Sequence, residues 1–201
     1  MPTSLIRGAR AIVLIGLLAG CGSPAPSVEL TVPQRPAVPA GWHEVTSDAG
    51  DVRLALPADV DALSSAPGLL AQEPARNGVP QFEVIASGPA DVSPQPRSGE
   101  QVSIWLEEQF WVPVAGESGV TQTADRAERE VILPAGRALE VAITAMPGSP
   151  DESRVVVYAI ATAGGLAIIR FVGPPARMDA RSDELSLIAF LAEFGDVSDP
   201  S

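Results

Sequence analysis

The chain is poor in the residues that carry most protein chemistry. Its 201 residues include one cysteine, one histidine and no lysine, and aromatic residues make up 4%. A lone cysteine cannot form an intramolecular disulfide, and with a single histidine it cannot complete a Cys/His zinc set. Without lysine there is neither a Schiff-base amine nor a phosphate-loop ammonium. A Ser-His or Cys-His pair would have to use His43. That residue sits between Trp42 and Glu44 in a strand-like run, where it reads as a satisfied or exposed strand residue and not as a base. Positive charge is also scarce, with 13 arginines against 25 acidic residues and a net charge of −12. Such a surface repels phosphate backbones and anionic headgroups, which argues against nucleic acid and against docking on lipid through charge.

Three short patterns approach known sites and stop short. Asp59-Val-Asp61 begins like a calcium loop, but the required glycine and closing glutamate do not follow. Gly116-Glu-Ser-Gly119 lacks one residue of the G-x-S-x-G nucleophile elbow. Glu107-Glu108 reads as the solvated edge of a helix, and no carboxylate pair stands out as a hydrolase couple. No catalytic, cofactor-binding or metal-binding residue is assigned, and no cofactor is expected.

What is present begins at the N-terminus. Arg7 and Arg10 precede nine mainly apolar residues, Ala11–Ala19, and Leu18-Ala19-Gly20-Cys21 closes that run. The order matches a secretory signal, residues 1–20. A spanning helix needs roughly 20 apolar residues, so this segment is too short to be one. The four residues resemble a bacterial lipobox, which implies that Cys21 carries acyl chains and that the chain is cut before it. One acyl chain binds a membrane only marginally, and two or more hold it stably. The expected protein is thus anchored on the extracytoplasmic side through Cys21, without spanning the membrane. Removing Arg7 and Arg10 from the 13 basic residues leaves 11 against 25 acidic ones, a mature net charge of −14.

Residues 21–40 hold five prolines and read as a tether. At about 3.1 Å per residue it would reach on the order of 60 Å. Residues 41–195 are enough for one domain, with 196–201 as a tail.

Within the domain, Trp42–Ser47 and Asp51–Leu56 read as strands around the Asp48-Ala-Gly50 turn, with Val52, Leu54 and Leu56 facing inward. Leu69–Ala71 and Val79–Ala86 flank Asn77-Gly78, a hairpin signal. Residues 87–97 read as a loop. Ser98 and Gln101 form a capping-box pattern, and Val102, Trp105, Leu106 and Phe110 make one helical face. Residues 123–130 have helical composition, but 131–133 before Pro134-Ala-Gly136 favour a strand. Strands follow at 137–146, at 154–162 with both faces apolar, and at 166–172 after Gly164-Gly165. The last element is a helix. Ser182 is placed as its cap, Leu187, Phe190, Leu191 and Phe194 as its inner stripe, and Gly195 at C′.

These elements predict an α+β fold, an antiparallel sheet of about six to seven strands packed with two main helices. Their succession, with Gly41-Trp42, Leu133-Pro-Ala-Gly-Arg-Ala138 and Ala189-Phe-Leu-Ala-Glu-Phe194, resembles the PsbP-like domains of bacterial lipoproteins, the LpqN type among them. The resemblance implies a non-catalytic binding or accessory module attached to another envelope protein, and it transfers no residue role. Two alternatives stay open: a carrier of an apolar or lipid ligand between sheet and helix, and a carboxylate-based hydrolase.

Overall fold

The computed structural model describes residues 32–64, 68–75, 81–90, 99–106, 126–150 and 152–195. Residues 1–31, Asn77-Gly78, Ser98, 107–125 and 196–201 lie outside them, and with them the expected hairpin turn, helix cap and tail.

Two antiparallel sheets are built from ten strands. β1 (Trp42–Thr46) and β2 (Val52–Pro57) pair with the two-residue β10 (Glu193–Phe194) in the order β1-β2-β10. The main sheet holds β3 (Asp61–Ser64), β4 (Leu69–Glu73), β5 (Phe82–Ala90), β6 (Arg126–Leu133), β7 (Gly136–Ala145), β8 (Ser153–Thr162) and β9 (Gly165–Gly173). Their order is β3-β4-β5-β9-β8-β7-β6. Helix α1 (Gly99–Leu106) follows β5, and α2 (Pro175–Ala180) and α3 (Ser182–Leu191) follow β9.

The periodicity of the sequence explains the layering. Phe82, Val84 and Ala86 of β5 share one face with Ala167, Ile169 and Phe171 of β9 and with Tyr158 and Ile160 of β8. That face forms the main core with Val52, Leu54 and Leu56 of β2 and Leu185, Ile188 and Ala189 of α3. Phe171 stacks with Phe82 at 6.2 Å and meets Tyr158 edge-on at 6.0 Å. On the opposite face, Leu139, Val141, Val157, Ala159 and Leu166 form a second cluster with Val102 of α1, and Trp105 packs against it. β8 gives Tyr158 and Ile160 to the first cluster and Val157 and Ala159 to the second, so it is covered on both faces, which is why its run Val155–Ala161 is apolar on both sides.

The β6–β7 hairpin turns at Pro134-Ala135, and Gly136 closes it at φ +146. A Cβ there would lie 2.1 Å from the Ala161 carbonyl oxygen, so only glycine lets β7 approach β8. The helical composition of 123–130 gives way to this pairing over the residues that are described, 126–130. β6 is an edge strand whose charges bond to neighbours, Arg126 to Glu128 and Arg129 to Glu140, each at 2.6 Å. Charged side chains on an edge strand discourage a further strand from adding there.

Three local expectations are corrected. β5 runs on to Ala90, so the expected loop starts later than residue 87. β3 and the short helix α2 are elements to which no expectation was attached. Ser182 is the first helical residue of α3 and not its cap, because α2 leads straight into α3 and Arg181 takes the junction. Finally, α3 ends at Leu191. Ala192 is extended, and Glu193-Phe194 pair with Arg53 and Val52. The buried stripe of α3 is therefore Leu185, Ile188 and Ala189, with Leu191 closing it, while Leu187 and Phe190 are only half-buried. Near-continuous apolarity from 187 to 191 hides the phase of the helix from sequence inspection. Glu193, at first sight an exposed position, is half-buried and bonded to two arginines.

Candidate functional site

His43 is exposed in β1, opposite Leu56. Asp61 lies in β3 opposite Gln72. Asp59 sits in the turn before it, where Arg181 holds its carboxylate, so the two aspartates do not converge as calcium ligands. Cys21, Glu107-Glu108 and Gly116–Gly119 lie outside the described residues. Among the described residues, no three His, Cys, Asp or Glu side chains converge to hold a metal.

The most enclosed polar group is a cluster where α2 meets α3, which the sequence did not single out. Glu73 ends β4 with its side chain only 4% exposed, and Arg181 is 6% exposed. The Arg177 Nε donates to Glu73 Oε2 at 2.8 Å, and a second Arg177 nitrogen donates to Glu73 Oε1. Arg181 Nη1 lies 3.4 Å from Glu73 Oε2. The same guanidinium donates to both oxygens of Asp59, at 3.1 and 2.8 Å, and through Nε to Glu184 at 2.6 Å. Its carbon stands 5.4 Å from the centre of the Phe82 ring. Five planar donors let one arginine serve three carboxylates at once, which an ammonium could not do in this geometry. The bond from Arg181 holds the Asp59 carboxyl below its ordinary value, against the smaller opposing effect of burial. Chemically the cluster ties the β2–β3 turn, the end of β4 and the α2–α3 junction together.

A second charged corner lies at the other end of α3. Arg35, in the proline-rich segment, donates through Nε to the Leu191 carbonyl at 2.9 Å. Its two terminal nitrogens reach Glu44 of β1 and Glu193 of β10, each at 2.8 Å. Glu193 also pairs with Arg53 of β2 at 3.3 Å. Here the side chains are partly wet, 28% exposed for Arg35 and 30% for Glu193.

Between the two corners, Tyr158 lies beneath α3. Burial, together with the carboxylate of Glu140, pushes its phenol up to about 12 against the pull of a hydrogen bond with Ser186. It is a neutral hydrogen-bonding group at any physiological pH. The large exposed apolar side chains of the domain, Leu63, Ile104 and Met146, stand on β3, on α1 and after β7. Single apolar residues of this kind are ordinary on a protein surface.

No family model matches the chain, and no curated protein matches it in sequence. Solved structures do share its fold. The solution structure of cyanobacterial PsbP (CyanoP) from Synechocystis sp. PCC 6803 is 12% identical, with a TM-score of 0.55 over 90% of this chain and 100% of that one. A mutant of protein Mog1 is 16% identical, with a TM-score of 0.52 over 78% of this chain and 97% of that one. LpqN, involved in cell envelope biogenesis of Mycobacterium tuberculosis, is 13% identical, with a TM-score of 0.49 over 76% and 89%. The first two agree with an α+β domain of the PsbP type, whose described residues form seven strands in the main sheet and three helices.

Proposed function

We propose that the protein is an extracytoplasmic lipoprotein, held at a membrane by acyl chains on Cys21, whose PsbP-like domain acts as a non-catalytic binding or accessory module. The observation that carries the reading is the lone cysteine placed directly behind a nine-residue apolar run, followed by a proline-rich segment and a single folded domain. No described helix is long and apolar enough to cross a membrane. The polar clusters serve the fold. Their carboxylates are bonded to arginines that join structural elements, and the sole histidine is exposed on β1.

Replacing Cys21→Ser should leave an uncut precursor that lacks lipid and moves to the aqueous phase of a detergent separation. Wild-type mature protein found in the aqueous phase would overturn the anchor. Crosslinking in intact cells, followed by mass spectrometry, should return an envelope protein as the partner of the domain. Recovery of the domain without any crosslinked protein would overturn the accessory role.

A further inference from the structure

The proline-rich segment is usually the part of an anchored protein that is written off as spacer, yet its second half is held by the domain. Val32 to Ala40 run along the molecule, and Trp42 donates its backbone N–H to the Pro39 carbonyl at 3.1 Å. Three prolines in these nine residues restrict φ, so the strand of chain is stiff and a single fixed point orients several residues. Arg35 supplies that point. Its guanidinium uses all three nitrogens on three different elements, the last carbonyl of α3, Glu44 of β1 and Glu193 of β10. The acceptors come from residues 9, 156 and 158 positions away in the chain, so only the folded domain presents them together. The Leu191 carbonyl belongs to a helix C-terminus, where the backbone dipole favours a cation. Glu193 is steadied in turn by Arg53.

We infer that Arg35 is a latch that straps residues 35–40 to the domain and thereby limits the free tether, and with it the reach of the domain from its anchor. The membrane consequence rests on the Cys21 reading, and the latch itself does not. With the latch closed, the reach from Cys21 to the domain is the 14 steps to Arg35, at most about 43 Å in extended proline-rich chain. Opening the latch frees further residues of tether. It is a strap whose contacts are half-exposed ion pairs, so salt and partner carboxylates compete for it, in contrast to a core contact.

Spin labels test it in the full chain carrying Cys21→Ser, which has no native thiol. Labels at Gln34→Cys and Asp183→Cys should give one narrow distance distribution by pulsed dipolar spectroscopy. Arg35→Ala should broaden it at least twofold, and Arg35→Lys should broaden it partly, because one ammonium cannot serve three diverging acceptors. Glu193→Gln tests the same latch from the acceptor side without touching the strap. Far-UV circular dichroism on each variant separates strap release from unfolding. Equal widths for Arg35 and both the Arg35→Ala and Glu193→Gln chains, or a broad distribution with Arg35 present, would overturn the latch. Fluorescence transfer from the domain to labelled lipids then reads the height of the lipidated protein on vesicles, which should rise in Arg35→Ala. Absence of protein from the vesicles would sink the anchor while leaving the spin-label result standing.

Discussion

The two ends of α3 carry the same chemistry in different solvent. At the N-terminal end Arg181 binds Asp59, Glu73 and Glu184; Arg181 and Glu73 are almost sealed from water, while Asp59 and Glu184 open to solvent on the outer side of the cluster. At the C-terminal end Arg35 binds Glu44, Glu193 and a carbonyl, and about a third of each acidic side chain is still wet. In a sealed site the loss of one partner leaves an uncompensated charge, whereas at a wet site water replaces it. The first arrangement is suited to holding a fold together, and the second to holding a segment that can be let go. Position along one short helix thus separates a structural cluster from a latch.

The sharpest way to break the comparison is at the buried end. Arg181→Ala should destabilise the domain by about 1–3 kcal/mol in a urea titration, because Asp59, Glu73 and Glu184 lose a shared partner while Glu73 keeps its two bonds from Arg177. A loss below about 1 kcal/mol would mean that the two ends do not differ. Acid should act on this end as well. A carboxyl whose value is lowered on folding adds stability above its unfolded value, near 3.8 for Asp59, and loses it as the pH falls through the lower folded value. Asp59→Asn should flatten that part of the acid limb.

The packing between the ends calibrates the scale. Ile188→Ala or Leu191→Ala should cost about 2–5 kcal/mol, since both side chains are fully buried. The corresponding change at half-buried Phe190 should cost less than either. Thermal or urea unfolding of the three variants gives the order directly.

Tyr158, under the middle of the helix, sharpens the comparison from the alkaline side. A phenol raised from 10 to about 12 binds its proton more tightly in the folded state. Stability is therefore unaffected below pH 10 and falls between about 10 and 12, by on the order of 2 kcal/mol. Tyr158→Phe should remove that slope, and an unchanged alkaline limb would refute the assignment.

At the wet end, Arg35→Ala should cost no more than about 1 kcal/mol, and less in high salt. Smallest of all, His43→Ala on exposed β1 should change stability by less than about 0.5 kcal/mol.

Much of the architecture was legible because strands alternate and turns have their own residues. β2 and β7 were readable from period-two alternation, β8 and β9 as apolar runs on either side of Gly164-Gly165, and the doubled apolarity of β8 agrees with its place inside the sheet, between β9 and β7. β6 was readable only by its hairpin turn, since Arg126–Glu130 would suit a surface helix as well as an edge strand. The end of α3 was misread because Phe194 continues a helical spacing, while its backbone finds better partners on β2. The two charged corners gave no local signal at all.

By itself the sequence determined what chemistry the protein can hold, where a lipid would attach and how its strands alternate, since these depend on residue type and near-neighbour spacing. Only the tertiary structure decided which charges meet. Asp59, Glu73 and Arg181, and likewise Arg35, Glu44 and Glu193, are brought together across as many as 158 residues by sheet pairing and helix packing. Charge pairing at that range has no period to read. It becomes specific only when burial removes the water that would otherwise satisfy each group alone.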